Sequence, residues 1–324
     1  MKRPEVDVIV SNDIDEIRAY VAQGWCPVEC SVDGESVVDE LVMDHHGKLS
    51  HLEAVSIRAY RDFFGVRRDD PRFVIAGGAD ADATFAAAAI AGILPHPSRA
   101  AELEGRPADV IERLSADLSP LAETIAIIDT DPIGRDVSAM PSGDVALLWE
   151  SLVGTGRDHI SACAGVSMWR TLTSASERRI GPYLRVAHES EAARRDAALE
   201  DLRERGQELG GVLVIRGSRV FGFSEWYGRE VESGEASSPS GWRHPVVLSY
   251  SEKYGNVTVG CPNVRVAEEL LGEGGLKNVL DELEPSGWGG REAVGGSPRG
   301  ARLKWEQVEA AASAIAARLP RRNG

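Results

Sequence analysis

Carboxylates and imidazoles are the groups that hold divalent metal ions, and this chain gathers them in three short stretches. Asp44-His45-His46 places two adjacent imidazoles beside a carboxylate, and His51 follows closely, so three of the chain's seven histidines fall within a few residues. Asp80-Ala81-Asp82 sets two carboxylates two residues apart, just after Gly77-Gly78. Asp129-Thr130-Asp131 forms a third acidic turn ahead of Pro132. Mixed carboxylate and imidazole donors suit manganese, iron, cobalt or zinc. Each stretch alone has a plainer reading: a solvated surface turn for the histidines, a helix N-cap for Asp82, a turn before proline for Asp129. Their repetition is the stronger signal. Carboxylates gathered at one place repel one another unless a cation sits among them. Two divalent ions about 3.5–4 Å apart would neutralise them, activate a water and shield phosphate oxygens.

The elements that would position these residues follow from the hydrophobic pattern. Strands are expected at 6–10, 36–43, 73–76 and 124–128, and helices at 14–22, 49–64, 83–93, 145–153 and 166–172. Strand, acidic turn and helix in repetition describe a parallel α/β sheet. In such sheets ligands bind beyond the carboxyl ends of the strands, where Asp44, Asp80 and Asp129 would lie. A strongly charged helix at 189–208 reads as a solvated or connecting helix. After Gly210-Gly211 the pattern changes to short strands at 212–215, 219–223, 246–250 and 256–259, then helices at 264–271 and 305–319. A Ser/Gly/Pro-rich stretch at 233–241 reads as a loop. The expected architecture is therefore α/β: an N-terminal parallel-sheet domain over 1–186, a linker helix over 187–209 and a smaller mixed α+β domain over 210–324.

Taken together, Asp44-His45-His46, Asp80-Ala81-Asp82 and Asp129 resemble the DHH phosphoesterase superfamily. Ala79-Asp80-Ala81-Asp82-Ala83, followed by Thr84-Phe85-Ala86-Ala87, is similar to that family's DxDA and small-residue helix. Gly287-Trp288-Gly289-Gly290-Arg291-Glu292-Ala293-Val294-Gly295-Gly296 is similar to the glycine-rich signature of the DHH-associated C-terminal domain. The resemblance implies a two-metal site, usually manganese, and hydrolysis of a small phosphorylated compound or short nucleotide in an interdomain cleft. It implies Asp44, His45, Asp80, Asp82 and Asp129 as metal ligands, with Asp44 and His46 as catalytic groups. Arg291, Gly289, Gly290 and Arg299 would bind substrate. The sequence also departs from the family. DxD normally precedes DHH, so either Asp13 and Asp15 serve as the early pair or Asp80 and Asp82 serve in a rearranged order; the second alignment matches better. Ala76, or Ile9 in the other alignment, stands where the family has a histidine, and the C-terminal signature lacks its histidine between Trp288 and Arg291. His51 or Asp131 could act as a shifted ligand. A non-hydrolytic phospho-ligand-binding protein, and a lyase or isomerase using the same cleft, remain open readings.

Composition bounds the partners. The chain has 324 residues, 43% hydrophobic and 27% charged, with a net charge of −15. That length and mix suit a globular protein of two domains. The negative field disfavours long nucleic acid. No stretch is long and apolar enough to span a bilayer, and Met1-Lys2-Arg3-Pro4-Glu5 lacks the pattern of a signal peptide. Four scattered cysteines, Cys26, Cys30, Cys163 and Cys261, suit a reducing cytoplasm. The spacing of Cys26 and Cys30 reads as structural, and Trp226, Tyr227, Trp242, Tyr250 and Tyr254 as packing aromatics. A homodimer is left open.

Overall fold

A computed structural model describes residues 6–32, 34–130, 140–175, 177–228, 241–298 and 301–320. The chain is mixed α/β and divides into two compact units, the division falling after Ser190.

The first unit is built on strand β1 (Asp7–Ser11), helix α1 (Ile14–Ala22), strand β2 (Cys26–Val28), a small hairpin of β3 (Ser31–Val32) and β4 (Glu35–Ser36), helix α2 (Val55–Asp62) and strand β5 (Arg72–Ala76). β5 lies between β1 and β2 and is parallel to both. Its Phe73, Val74 and Ile75 are fully buried. Phe73 and Ile75 join the large core, while Val74 packs on the other face with Ile17, Trp25 and Cys30. Alternate residues therefore serve opposite faces, and a strand covered on both sides reads as a continuous apolar run.

Helix α3 (Ala81–Ile90) follows β5. Every residue from Asp82 to Ile90 is buried, which explains why the helix is apolar all round. Its alanines allow close packing by α2, α5 (Ser119–Thr130) and α7 (His159–Ser174), with α4 (Ala108–Leu114) and α6 (Gly143–Leu152) completing the unit. Trp149 and Trp169 stack within this core, centroids 5.5 Å apart. The long helix α8 (Glu177–Arg205) runs across the division between the units.

Several expected elements differ. The strand expected at 124–128 is part of α5. The run Thr124-Ile125-Ala126-Ile127-Ile128 is apolar in either conformation, but its burial is helical, with Ile127 left 43% exposed. The Thr124 hydroxyl bonds back to the Pro120 carbonyl one turn earlier, at 2.8 Å. The strand expected at 36–43 survives only at Ser36. Val42 adopts φ 50°, which breaks an extended run, although Leu41 and Met43 still reach the core. The helix expected over 49–64 contracts to α2, preceded by a short 3₁₀ turn at Gly47–Leu49.

The second unit contains strands β6 (Gly206–Leu209), β7 (Val212–Arg216), β8 (Val247–Ser251), β9 (Asn256–Gly260), β10 (Gly289–Gly290) and β11 (Val294–Gly296). They form one sheet in the order β10-β11-β9-β8-β7-β6, antiparallel throughout except for the β7–β8 pair. Helices α9 (Phe223–Tyr227), α10 (Val264–Leu271), α11 (Lys277–Leu280) and α12 (Trp305–Ala316) accompany it. No strand forms over 219–223. Asp201 of α8 accepts from the Arg219 backbone N–H at 2.8 Å and from its Nε at 2.7 Å, so this segment is held to a helix instead of a sheet. Phe223, Trp226 and Tyr227 are buried in their own cluster. Of the loop expected at 233–241, only Gly241 lies among the described residues, and Asp131, Pro132 and Arg299 also lie outside them. No helix among the described residues is long and apolar enough to cross a membrane.

Candidate metal centre

Four side chains from separate parts of the first unit converge. Glu29 directly follows β2. His45 lies in the loop between β4 and α2. Asp82 stands in the first turn of α3, and Asp129 in the last turn of α5. His45 Nε2 is 3.0 Å from Glu29 Oε1, 3.2 Å from Asp129 Oδ2 and 3.8 Å from Asp82 Oδ2. One donor atom from each of the four lies within 4.8 Å of the others. Glu29, His45 and Asp82 are buried, and the Asp129 side chain is 25% exposed.

The close contacts to His45 are ionic, and their angles do not make hydrogen bonds. Both His45 ring nitrogens and Glu29 Oε1 are buried with no hydrogen-bond partner. Such orphaned polar atoms are costly and call for an explanation. A divalent cation among the carboxylates would take the facing Glu29 Oε1 and His45 Nε2 as donors while neutralising the surrounding charge. The donor set, three carboxylates and one imidazole, fits a hard to borderline ion such as manganese.

Local structure fixes each donor. Glu29 occupies the left-handed region at φ 54°, unusual for a residue with a side chain, and its N–H donates to the Met43 carbonyl at 2.7 Å. That backbone bond joins the end of β2 to the loop carrying His45. Asp82 turns away from its own helix end and accepts from the Val55 and Ser56 N–H groups at 3.1 and 3.0 Å. It thereby caps α2, whose preceding residue, Ala54, has no capping side chain. Asp80, in turn, caps α3 by accepting from the Ala83 N–H at 3.1 Å.

Arg58 of α2 holds the His45 loop from beneath. Its guanidinium donates to the carbonyls of Val42 at 2.6 Å, Asp44 at 2.8 Å and Glu53 at 3.0 Å. Arg58→Met is expected to leave these carbonyls without their donor and lower stability by about 3 kcal/mol. Because the loop carries His45, a candidate ligand, divalent-ion affinity should also fall at least about tenfold. Urea unfolding and metal titration together check this; retention of both properties would contradict the positioning role.

The electrostatics describe a crowded acidic pocket. Burial and the charges of Asp80, Asp82 and Asp129 hold Glu29 well above the ordinary carboxylate range, against the opposing pull of His45. Burial, Asp129 and Asp82 push the partly exposed Asp80 up to about 7. Burial also raises Asp82, reinforced by Asp129. For His45, burial alone would favour the neutral ring, but Asp129 and Glu29 overcome it and raise the imidazole to about 10.

The expected ligands thus separate. His45, Asp82 and Asp129 come together. Asp80 lies outside the four, although its charge acts on Glu29. Asp44 faces elsewhere: Oδ2 accepts from Ser31 Oγ at 2.8 Å, while Oδ1 accepts from the His46 N–H at 2.9 Å and pairs with His46 Nδ1 at 3.1 Å. Burial would raise Asp44, but these bonds win and lower it to about 2. His46 can join Glu29 and His45 as a donor. His51 is exposed, with Nδ1 3.2 Å from the Lys48 carbonyl. Asp13 caps α1, and Asp15 pairs with Arg18 on the surface. The expectation that three strand ends deliver the acidic groups is corrected. Of the three expected stretches, Asp80–Asp82 alone comes after a sheet strand, separated from β5 by Gly77, Gly78 and Ala79, since Asp129 is helical and Asp44 follows a turn.

Sequence reasoning missed Glu29. The available signal was a single carboxylate in the apolar stretch Cys26-Pro27-Val28-Glu29-Cys30. Cys26 and Cys30 are themselves buried and unpaired by any disulfide, their thiols pushed up by burial. In the second unit, Gly289 and Gly290 form the exposed strand β10, and Arg291 begins the turn to β11, its N–H donating to the Val294 carbonyl at 2.6 Å. Compared with protein-family models, curated proteins and solved structures, the chain matches none of them.

Proposed function

We propose that the chain is a metal-dependent phosphoesterase acting on a small phosphorylated compound or short nucleotide. The observation that carries this reading is the buried Glu29–His45–Asp82–Asp129 cluster, with orphaned donor atoms facing one another. Those four residues would hold a divalent ion, manganese by its preference for oxygen and imidazole donors. Such an ion, when bound, supplies Lewis acidity toward a phosphoryl oxygen and lowers the pKa of water.

The chain's own groups supply the rest. Asp44 holds the His46 ring by its Nδ1 side at 3.1 Å, and the His46 side chain remains 37% exposed. Nε2, on the opposite side of the ring, is the nitrogen that can exchange a proton with a substrate or leaving group. Asp44 is the positioning group of that pair. Gly289, Gly290 and Arg291 belong to the second unit, where the missing side chain of Gly290 makes room for the Val294 carbonyl.

Manganese-loaded protein should hydrolyse members of a panel of phosphodiesters and phosphomonoesters, and His45→Ala should remove that activity. Turnover that survives complete metal removal would contradict the proposal. A metal-loaded chain that binds phosphorylated compounds without turning them over would instead favour the non-hydrolytic reading.

A further inference from the structure

A second cluster of donors stands on the first unit, made of residues the proposed phosphoesterase site does not use. Asp7 opens β1, while His159 and Cys163 lie one turn apart on the same face of α7, at its beginning. His159 Nδ1 is 3.5 Å from Asp7 Oδ1 and 3.8 Å from Cys163 Sγ. A donor atom from each of the three lies within 4.8 Å of the other two. The Val8 carbonyl is 2.8 Å from the same His159 nitrogen and 3.9 Å from Cys163 Sγ.

The convergence on one nitrogen decides the chemistry. A thiol–imidazole–carboxylate relay uses opposite nitrogens of the ring, one facing the nucleophile and the other facing the orienting acid. Here the carboxylate, the thiol and a backbone carbonyl all face Nδ1. That arrangement surrounds a point between the groups, as a chelated ion requires. We propose that Asp7, His159 and Cys163 form a binding site for a thiophilic divalent ion of the zinc type. Thiolate, imidazole and carboxylate are the donors zinc prefers, and three protein ligands leave a coordination position open.

Because a carbonyl only accepts, His159 carries its proton on Nδ1 in the ion-free form. Binding moves that proton to Nε2, which frees the Nδ1 lone pair. The Cys163 thiol proton is released to solvent as the thiolate binds the ion. His159 and Asp7 are about half exposed, at 53% and 44% of their side chains, so the ion has an open approach.

The test is titration of the full chain with cobalt(II) chloride, read by absorption. The proposal predicts a near-ultraviolet sulfur-to-cobalt charge-transfer band that zinc chloride bleaches. Cys163→Ser should abolish the band, and His159→Ala should weaken cobalt binding at least about tenfold. His45→Ala should leave the band intact, which separates this site from the buried carboxylate cluster. Absence of the band in the wild-type chain, or its persistence in Cys163→Ser, would overturn the assignment.

Discussion

Glu29→Gln is expected to weaken manganese binding at the proposed site while making the ion-free chain more stable. The two effects have one cause. Glu29 is buried, sits at φ 54° and is held well above the ordinary carboxylate range by burial and the charges of Asp80, Asp82 and Asp129. At neutral pH, ionising it inside the fold works against folding. An uncharged amide of similar size removes that penalty, by about 1–2 kcal/mol on the scale typical of a single buried-group change. The same replacement removes one of four donors. Loss of groups that merely orient a ligand costs about 10–100-fold in affinity, so losing a donor should cost at least the upper end of that range. Urea unfolding of ion-free protein and manganese titration measure the two halves. A Glu29→Gln chain that is less stable and binds manganese normally would assign Glu29 a purely structural role.

The second large effect is the response of stability to pH and to manganese. Glu29 and Asp80 are acids with raised pKa values, Asp80 up to about 7 from an ordinary 3.8. Between those values the folded chain binds more protons than the unfolded one, so stability falls as pH rises. His45 acts in the same direction. Raised from 6.5 to about 10, it contributes stability fully present below about pH 6.5 and lost as pH rises through about 10. Asp44 opposes them at the acid end. Lowered from 3.8 to about 2, it contributes stability present above about pH 4 and lost as pH falls through about 2. Ion-free protein should therefore be most stable in mild acid and should lose stability steadily toward pH 10.

Manganese should reverse much of that decline, because the bound ion requires ionised carboxylates and compensates their charge. At a hundredfold excess over Kd, binding adds about 2.7 kcal/mol, or roughly 5–10 °C in the melting midpoint of the unit that holds it. The increment should be larger at pH 8 than at pH 5. Thermal scans at both pH values, with and without manganese, provide the comparison. Equal increments, or none, would contradict an ion bound among these carboxylates.

The legible part of this molecule was its repeating local pattern. The amphipathic helix Val264–Leu271 carries a spacing that one conformation satisfies, while the strand at 73–76 is marked off by Gly77-Gly78 and the helix after it by Asp80, Asp82 and its run of alanines. The 124–128 run was illegible because its one exposed position also carries an isoleucine, Ile127, which removes the periodicity separating strand from helix. Residues 36–43 misled for another reason: Leu41 and Met43 are buried as a strand would bury them, but a turn at Val42 delivers them. Among the site residues, His45, Asp82 and Asp129 were visible as unusual chemistry at segment ends. Glu29 stands between two cysteines and carries no donor spacing of its own in the sequence. Its role depends on the backbone bond to Met43, a contact between separate segments that no local pattern displays. Asp44 shows the reverse case, a conspicuous carboxylate that bonds Ser31 and His46 instead of joining the four donors.

Manganese content is the most direct measurement of the central claim. Wild-type protein and His45→Ala should be loaded with manganese, desalted and analysed for metal per chain. The Glu29–His45–Asp82–Asp129 assignment predicts at least one retained manganese per wild-type chain and its loss in His45→Ala. No retained manganese in the wild type, or equal retention in both proteins, would contradict it.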